Sequence, residues 1–144
     1  MQSASSLKKL VARVAIDSPL PNLDRLFDYV VPISLSDAAT VGARVKIPFG
    51  RSKKSLDGFI VELNTESKFE GKLAEITEIV SRVPVLPIHL YQFLRAVADR
   101  QACTLGDLLK LAVPNRSVAI EKKFVLENLG FATEKRRKTP RLHT

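Results

Sequence analysis

Apolar residues in the first eighty positions recur in short runs or at every second place, and beyond Pro87 they fall at spacings of three and four. The first pattern predicts strands and the second helices. Leu10 to Ile16, rich in Val and Ala with one polar interruption at Arg13, predicts a mostly buried first strand. Pro19-Leu20-Pro21-Asn22-Leu23-Asp24 predicts an extended loop in which Asp24 forms a turn. A second strand, Leu26 to Val31, stops at Pro32, and Ser34 to Gly42 reads as a polar, turn-rich connection. Arg44 to Phe49 then alternates, with Val45, Ile47 and Phe49 on one face and Arg44 and Lys46 on the other. A basic turn from Gly50 to Ser55 leads to a fourth strand, Leu56 to Leu63. After a charged loop, Leu73 to Val80 supplies a fifth.

Short strands separated by turns, with no helical pattern between them, predict an antiparallel, mostly closed sheet rather than a βαβ layer. The fold class expected is mainly β with α: a small OB-like barrel followed by two short helices and a basic tail. The first helix carries Leu90, Phe93, Leu94, Val97 and Ala98 on one stripe, with Pro87 near its first turn. Thr104, three residues before Asp107, caps a second helix expected from Leu105 to Ala112, ahead of Pro114. Residues 1–9 read as a disordered lead-in, 10–113 as the domain, and 114–144 as a basic tail. Lys122 to Leu129 is a candidate short helix within that tail.

Charge narrows the partner. The chain of 144 residues carries a formal charge of +8, which favours a polyanion. Residues 1–115 hold 15 Lys and Arg against 12 Asp and Glu, whereas residues 116–144 hold 8 against 3, so most of the excess lies in the tail. Runs such as Glu134-Lys135-Arg136-Arg137-Lys138 are commonly solvated, so they identify no site by themselves. A single cysteine, Cys103, permits neither an internal disulfide nor a cysteine-built zinc site and suits a reducing cytoplasm. No run of eighteen apolar residues predicts a membrane span.

Catalysis finds little support in these residues. Gly71-Lys72 is followed by Leu73, and Glu66 stands where a phosphate loop needs its first glycine. His89 and His143 have no spaced partners for metal binding or nucleophilic chemistry, and no pair of carboxylates is arranged for acid-base work. No catalytic residue, metal or cofactor is expected. The remaining cluster is Phe27, Asp28, Tyr29 and Gly50, with the cations Arg44, Lys46, Arg51, Lys53, Lys54 and Lys72 near it in sequence. Two readings stand side by side. Phe27 and Tyr29 share a strand face and suit plain core, with Asp28 in solvent. Alternatively, an aromatic ring stacks on a base, Asp28 accepts a hydrogen bond from a sugar hydroxyl, Gly50 admits close backbone approach, and the cations grip phosphate. A regular strand cannot send all three side chains into one pocket, so this second reading needs a strand end, a bulge or a backbone contact.

The ordered set Val11-Ala12-Arg13-Val14-Ala15, Pro19-Leu20-Pro21, Phe27-Asp28-Tyr29 and Gly42-Ala43-Arg44-Val45-Lys46-Ile47-Pro48-Phe49-Gly50 resembles the N-terminal region of the primosomal protein N′ (PriA) family. The resemblance continues through Gly58-Phe59-Ile60-Val61 and Thr104-Leu105-Gly106-Asp107-Leu108-Leu109 and covers about residues 10–115. It implies a β-barrel that binds the 3′ end of the nascent leading strand at a stalled replication fork during replication restart. It also implies that Phe27, Asp28, Tyr29 and Gly50 form the pocket for the terminal nucleotide. Where the family has a lysine before the fifth strand this chain has Ala74, with Lys72 nearby. The implied partners are DNA with a free 3′ end and forked DNA, then other primosome proteins or single-stranded-DNA-binding protein. Family members continue into a winged-helix segment, a helicase core and a zinc module. The resemblance thus offers residues 114–144 a second reading, as the start of a truncated winged-helix segment. With neither helicase core nor zinc module in these 144 residues, no ATPase activity is expected of this chain. Two further classes remain open: a general single-stranded DNA or RNA-binding barrel, and a protein-interaction scaffold.

Overall fold

The computed structural model describes residues 9–65 and 72–113. The lead-in up to residue 8, the basic tail and the helix expected at Lys122 to Leu129 lie outside the described residues. Five strands form an antiparallel sheet: β1 (Val11–Ile16), β2 (Leu26–Val30), β3 (Arg44–Phe49), β4 (Lys54–Asn64) and β5 (Glu78–Ile79), in the order β2-β1-β4-β3-β5. Two α-helices follow, α1 (Ile88–Gln101) and α2 (Leu105–Ala112). Short 3-10 helices occupy Pro21–Leu23 and Ile33–Ala38. Among the described residues no helix is long and apolar enough to cross a membrane.

β4 is the spine. Its first half pairs with β3, from Lys54 opposite Phe49 to Phe59 opposite Arg44, and its second half pairs with β1. The β1–β4 register shifts between Arg13 and Val14, the signature of a bulge that bends a sheet. Bending lets the sheet enclose one core and carry another on its back. Val14, Val45, Ile47, Ile60 and Tyr29 fill the inner core. Ala15, Phe59 and Val61 face the opposite way and pack with Leu94, Leu105 and Leu109 of the helices. β1 and residues 58–61 of β4 therefore bury both faces, which is why the sequence runs apolar there instead of alternating.

The fifth strand is shorter than the Leu73–Val80 expected. Only Glu78 and Ile79 pair with β3, while Glu75 makes an isolated parallel bridge to Val30 of β2. The Val30 N–H donates to the Ala74 carbonyl, the Ile76 N–H to Val30, and the Thr77 N–H to Lys46. The segment changes partners midway, so it cannot be one regular strand. The ladder is not closed into a barrel, and this crossing segment joins its two edges in an OB-like outline.

Thr104 and Asp107 form a reciprocal capping box at the start of α2, satisfying backbone donors that a helix end leaves open. A further tie comes from Asp24. Its carboxylate accepts from Arg95 Nη1 at 2.6 Å and Nη2 at 3.2 Å, and from the Leu105 N–H at 3.1 Å. One side chain thus links the loop before β2 to both helices. The Arg95 hydrogen bonds, ahead of the opposing effect of burial, hold the Asp24 carboxyl below its ordinary pKa.

Candidate functional site

Where residues 72–77 cross from β2 to β3, the sheet leaves a cleft of about 1130 Å³. Its walls come from β2, from the end of β3 with the following turn, and from the crossing segment. Edge strands suit this position because one flank is not covered by a neighbouring ladder. Asp28 reaches the cleft for this reason, although it alternates with Phe27 and Tyr29 along the strand.

The two rings have different jobs. Tyr29 is only 4% exposed, belongs to the inner core, and donates its hydroxyl to the Pro48 carbonyl at 3.1 Å. Burial pushes its hydroxyl pKa up, so it remains a neutral donor that ties β2 to the end of β3. Phe27 is half-buried and meets Phe49 edge to face, with centroids 5.4 Å apart and planes at 82°. The guanidinium of Arg25 lies over the Phe27 ring, 4.7 Å from its centroid. These contacts bind β2, β3 and the loop before β2 into one wall.

Asp28 is 19% exposed at its side chain, and its Oδ1 stands 3.5 Å from Arg13 Nε. Arg13 also reaches Glu62 at 3.4 Å, so the arginine bridges two carboxylates across neighbouring strands. A carboxylate offers about four acceptor positions, so Asp28 can accept from a ligand as well as from Arg13. Gly50, at φ +75°, opens the turn between β3 and β4, and a Cβ built on it would meet no atom within 4 Å. The backbone there is open to close approach from the cleft. The turn closes with the Lys53 N–H donating to the Gly50 carbonyl at 3.2 Å.

Phe27, Asp28, Tyr29, Gly50, Lys53 and Lys72 all line this cleft. Ala74, where the resemblance implies a lysine, lines it too. Arg51 and Lys54 are exposed in the adjoining turn and strand start without lining the cleft. Arg44 and Lys46 project from the other face of β3. The Arg44 guanidinium sits 5.4 Å from the Phe59 centroid on the helix-facing side, and Lys46 Nζ lies 3.9 Å from Asp57. Sequence reading misses Arg25, Arg13 and Glu75 as cleft residues. Arg25 carries a signal, since it stands two places before Phe27 and so shares its face, whereas Glu75 becomes visible only once the crossing segment is seen to leave β3.

A family model described as the 3′DNA-binding domain (3′BD) of PriA matches residues 13–114. The probable replication restart protein PriA of Mycobacterium tuberculosis strain H37Rv is 41% identical over 104 residues, spanning 72% of this chain and 16% of that protein. The corresponding protein of Mycobacterium leprae is 38% identical over the same length, with the same coverage. The replication restart protein PriA of Bacillus subtilis is 36% identical over 76 residues, covering 52% of this chain and 9% of the relative. The chain thus spans about 16% of the length of the mycobacterial relatives.

Proposed function

The chain belongs to the PriA 3′DNA-binding domain family, and on that premise we propose that it is a DNA-binding module of replication restart that captures the 3′ end of a strand. The observation that carries this reading is the convergence of Phe27, Asp28, Tyr29, Gly50, Lys53 and Lys72 on one cleft at the open edge of the sheet. The proposed ligand is the 3′ end of the nascent leading strand on forked DNA, and the proposed activity is binding without catalysis. The terminal nucleotide enters where Gly50 leaves the backbone uncovered, and its base lies against the aromatic wall. Asp28 accepts a hydrogen bond from the terminal hydroxyl. Lys53 and Lys72 attract the strand through its phosphates, with Arg51 and Lys54 extending the field along the turn.

Asp28 gives the site its chemical preference. An ionised carboxylate only accepts hydrogen bonds, so it favours a hydroxyl and repels a terminal phosphate. Because β2 alternates, Asp28 reads the sugar while Phe27 and Tyr29 shape the wall beside it. Asp28→Ala is expected to bind 3′-hydroxyl and 3′-phosphate oligonucleotides alike in fluorescence anisotropy. Retention of the wild-type preference by that variant would remove Asp28 from the reading.

Docking of other primosome proteins or of single-stranded-DNA-binding protein is a separate proposal, testable by pull-down with purified partners after nuclease treatment. Loss of capture with the nucleic acid would reduce it to bridging by DNA.

A further inference from the structure

Arg25 has an unusual position for an exposed arginine next to a candidate DNA site. It stands immediately before β2, lines the cleft, and lays its guanidinium against Phe27. The other cleft arginine, Arg13, is engaged by Asp28 and Glu62. Among the described residues no carboxylate forms a salt bridge with Arg25. Lying over the ring leaves most of its hydrogen-bonding capacity, because a guanidinium carries five N–H donors and a single ring face cannot engage them all. The edge-to-face contact with Phe49 restrains the Phe27 ring, and the ring in turn holds the guanidinium above it at the wall of the cleft. The result is a donor-rich cation held at the cleft before any ligand arrives.

We propose that Arg25 is a phosphate clamp of this cleft, recognising the last phosphodiester of the bound strand, the one on the 5′ side of the terminal nucleotide. This rests on the reading of the cleft as a strand-end site and adds a specific requirement to it: the ligand is a terminal nucleotide together with its 5′ phosphodiester. Phosphate suits the guanidinium better than a base does. A base would present a neutral edge to the donors, whereas two phosphate oxygens match a guanidinium in bidentate geometry and carry the opposite charge. Phe27 then supports Arg25 as well as forming part of the wall beside the base. Lysine cannot replace it fully, because an ammonium has neither the plane that stacks nor the paired donors.

The test uses the 144-residue chain and 5′-labelled single strands ending in a 3′ hydroxyl, with one linkage at a time made neutral as a methylphosphonate. For the wild type, neutralising the last linkage is expected to weaken binding roughly tenfold, the worth of a charge-assisted hydrogen-bond pair, and neutralising a linkage far from the end to have little effect. Arg25→Met is expected to bind the normal strand about as weakly as the wild type binds the modified one, with no further loss on modification. Arg25→Lys is expected to fall between them. Arg25 is exposed, so both variants should fold, with only the small loss of stability that goes with the contact to Phe27. Insensitivity of the wild type to the last linkage, or undiminished sensitivity in Arg25→Met, overturns the clamp. Failure of the end-site reading shows separately, as equal wild-type affinity for 3′-hydroxyl and 3′-phosphate strands.

Discussion

Asp24→Asn tests how the helices are fastened to the sheet. The substituted amide keeps the size of the side chain and one carbonyl oxygen, so it can still accept from the Leu105 N–H, but it loses the charge and half of the bidentate contact with Arg95. The side chains are 17% exposed for Asp24 and 26% for Arg95, and Arg95 keeps Asp99 at 2.7 Å. The arginine is therefore not left as an unpaired buried charge. The loss is set by one or two charge-assisted hydrogen bonds in a partly screened position, about 1.5–3 kcal/mol. For a domain of this size that corresponds to a fall in Tm of roughly 6–15 °C. The effect has a definite pH dependence. Arg95 and the Leu105 N–H lower the Asp24 pKa on folding, so the stabilisation is fully present above the unfolded value of about 3.9 and is lost as pH falls through the lower folded value. Denaturant unfolding of wild type and variant from neutral pH downward should show a gap that closes in acid. A gap of the same size at every pH, or none at pH 7, would refute the reasoning.

Gly106 lies in the first turn of α2, where a Cβ would overlap the backbone of Ser18 and Pro19. Gly106→Ala gains up to about 1 kcal/mol of helix propensity but meets a rigid backbone, so a net loss of roughly 2 kcal/mol is expected in thermal melts, and a more stable variant would contradict the packing described. Tyr29→Phe removes the bond to the Pro48 carbonyl and should cost about 1 kcal/mol in urea unfolding while keeping the core filled; unchanged stability would show that this tie carries no weight. Lys53→Ala should weaken DNA binding and lower the magnitude of its salt slope by about 1, whereas Lys46→Ala, across the sheet and beside Asp57, should leave both unchanged. Equal effects of the two would remove the cleft's privileged place.

Much of the architecture is written in the periodicity. Arg44 to Phe49 alternates because one face of β3 meets the inner core, and the observed strand has those same limits. The stripe from Leu90 to Ala98 and the Thr104–Asp107 pair likewise mark helices by local rules, and α2 runs from Leu105 to Ala112 as expected. The fifth strand eludes those rules because Leu73 to Val80 alternates in sequence while its backbone serves two partners in turn, and pairing is not a local property. Asp24 looks like a turn former in sequence, since nothing nearby announces an arginine 71 residues away. For the site, Phe27, Asp28, Tyr29 and Gly50 are legible as a cluster, and the structure brings them to one cleft with Lys53 and Lys72. Arg44 and Lys46 join that cluster only by proximity in sequence, and strand alternation sends them to the opposite face from Phe49.

The most direct test of the central claim is the affinity of the 144-residue chain for matched oligonucleotides ending in a 3′ hydroxyl or a 3′ phosphate, read by fluorescence anisotropy at one fixed salt concentration. Loss of the hydroxyl donor to Asp28, together with repulsion between carboxylate and phosphate, should favour the hydroxyl end by about ten- to a hundredfold. Equal affinities for the two ends would contradict the account and leave a cleft that binds strands without reading where they stop.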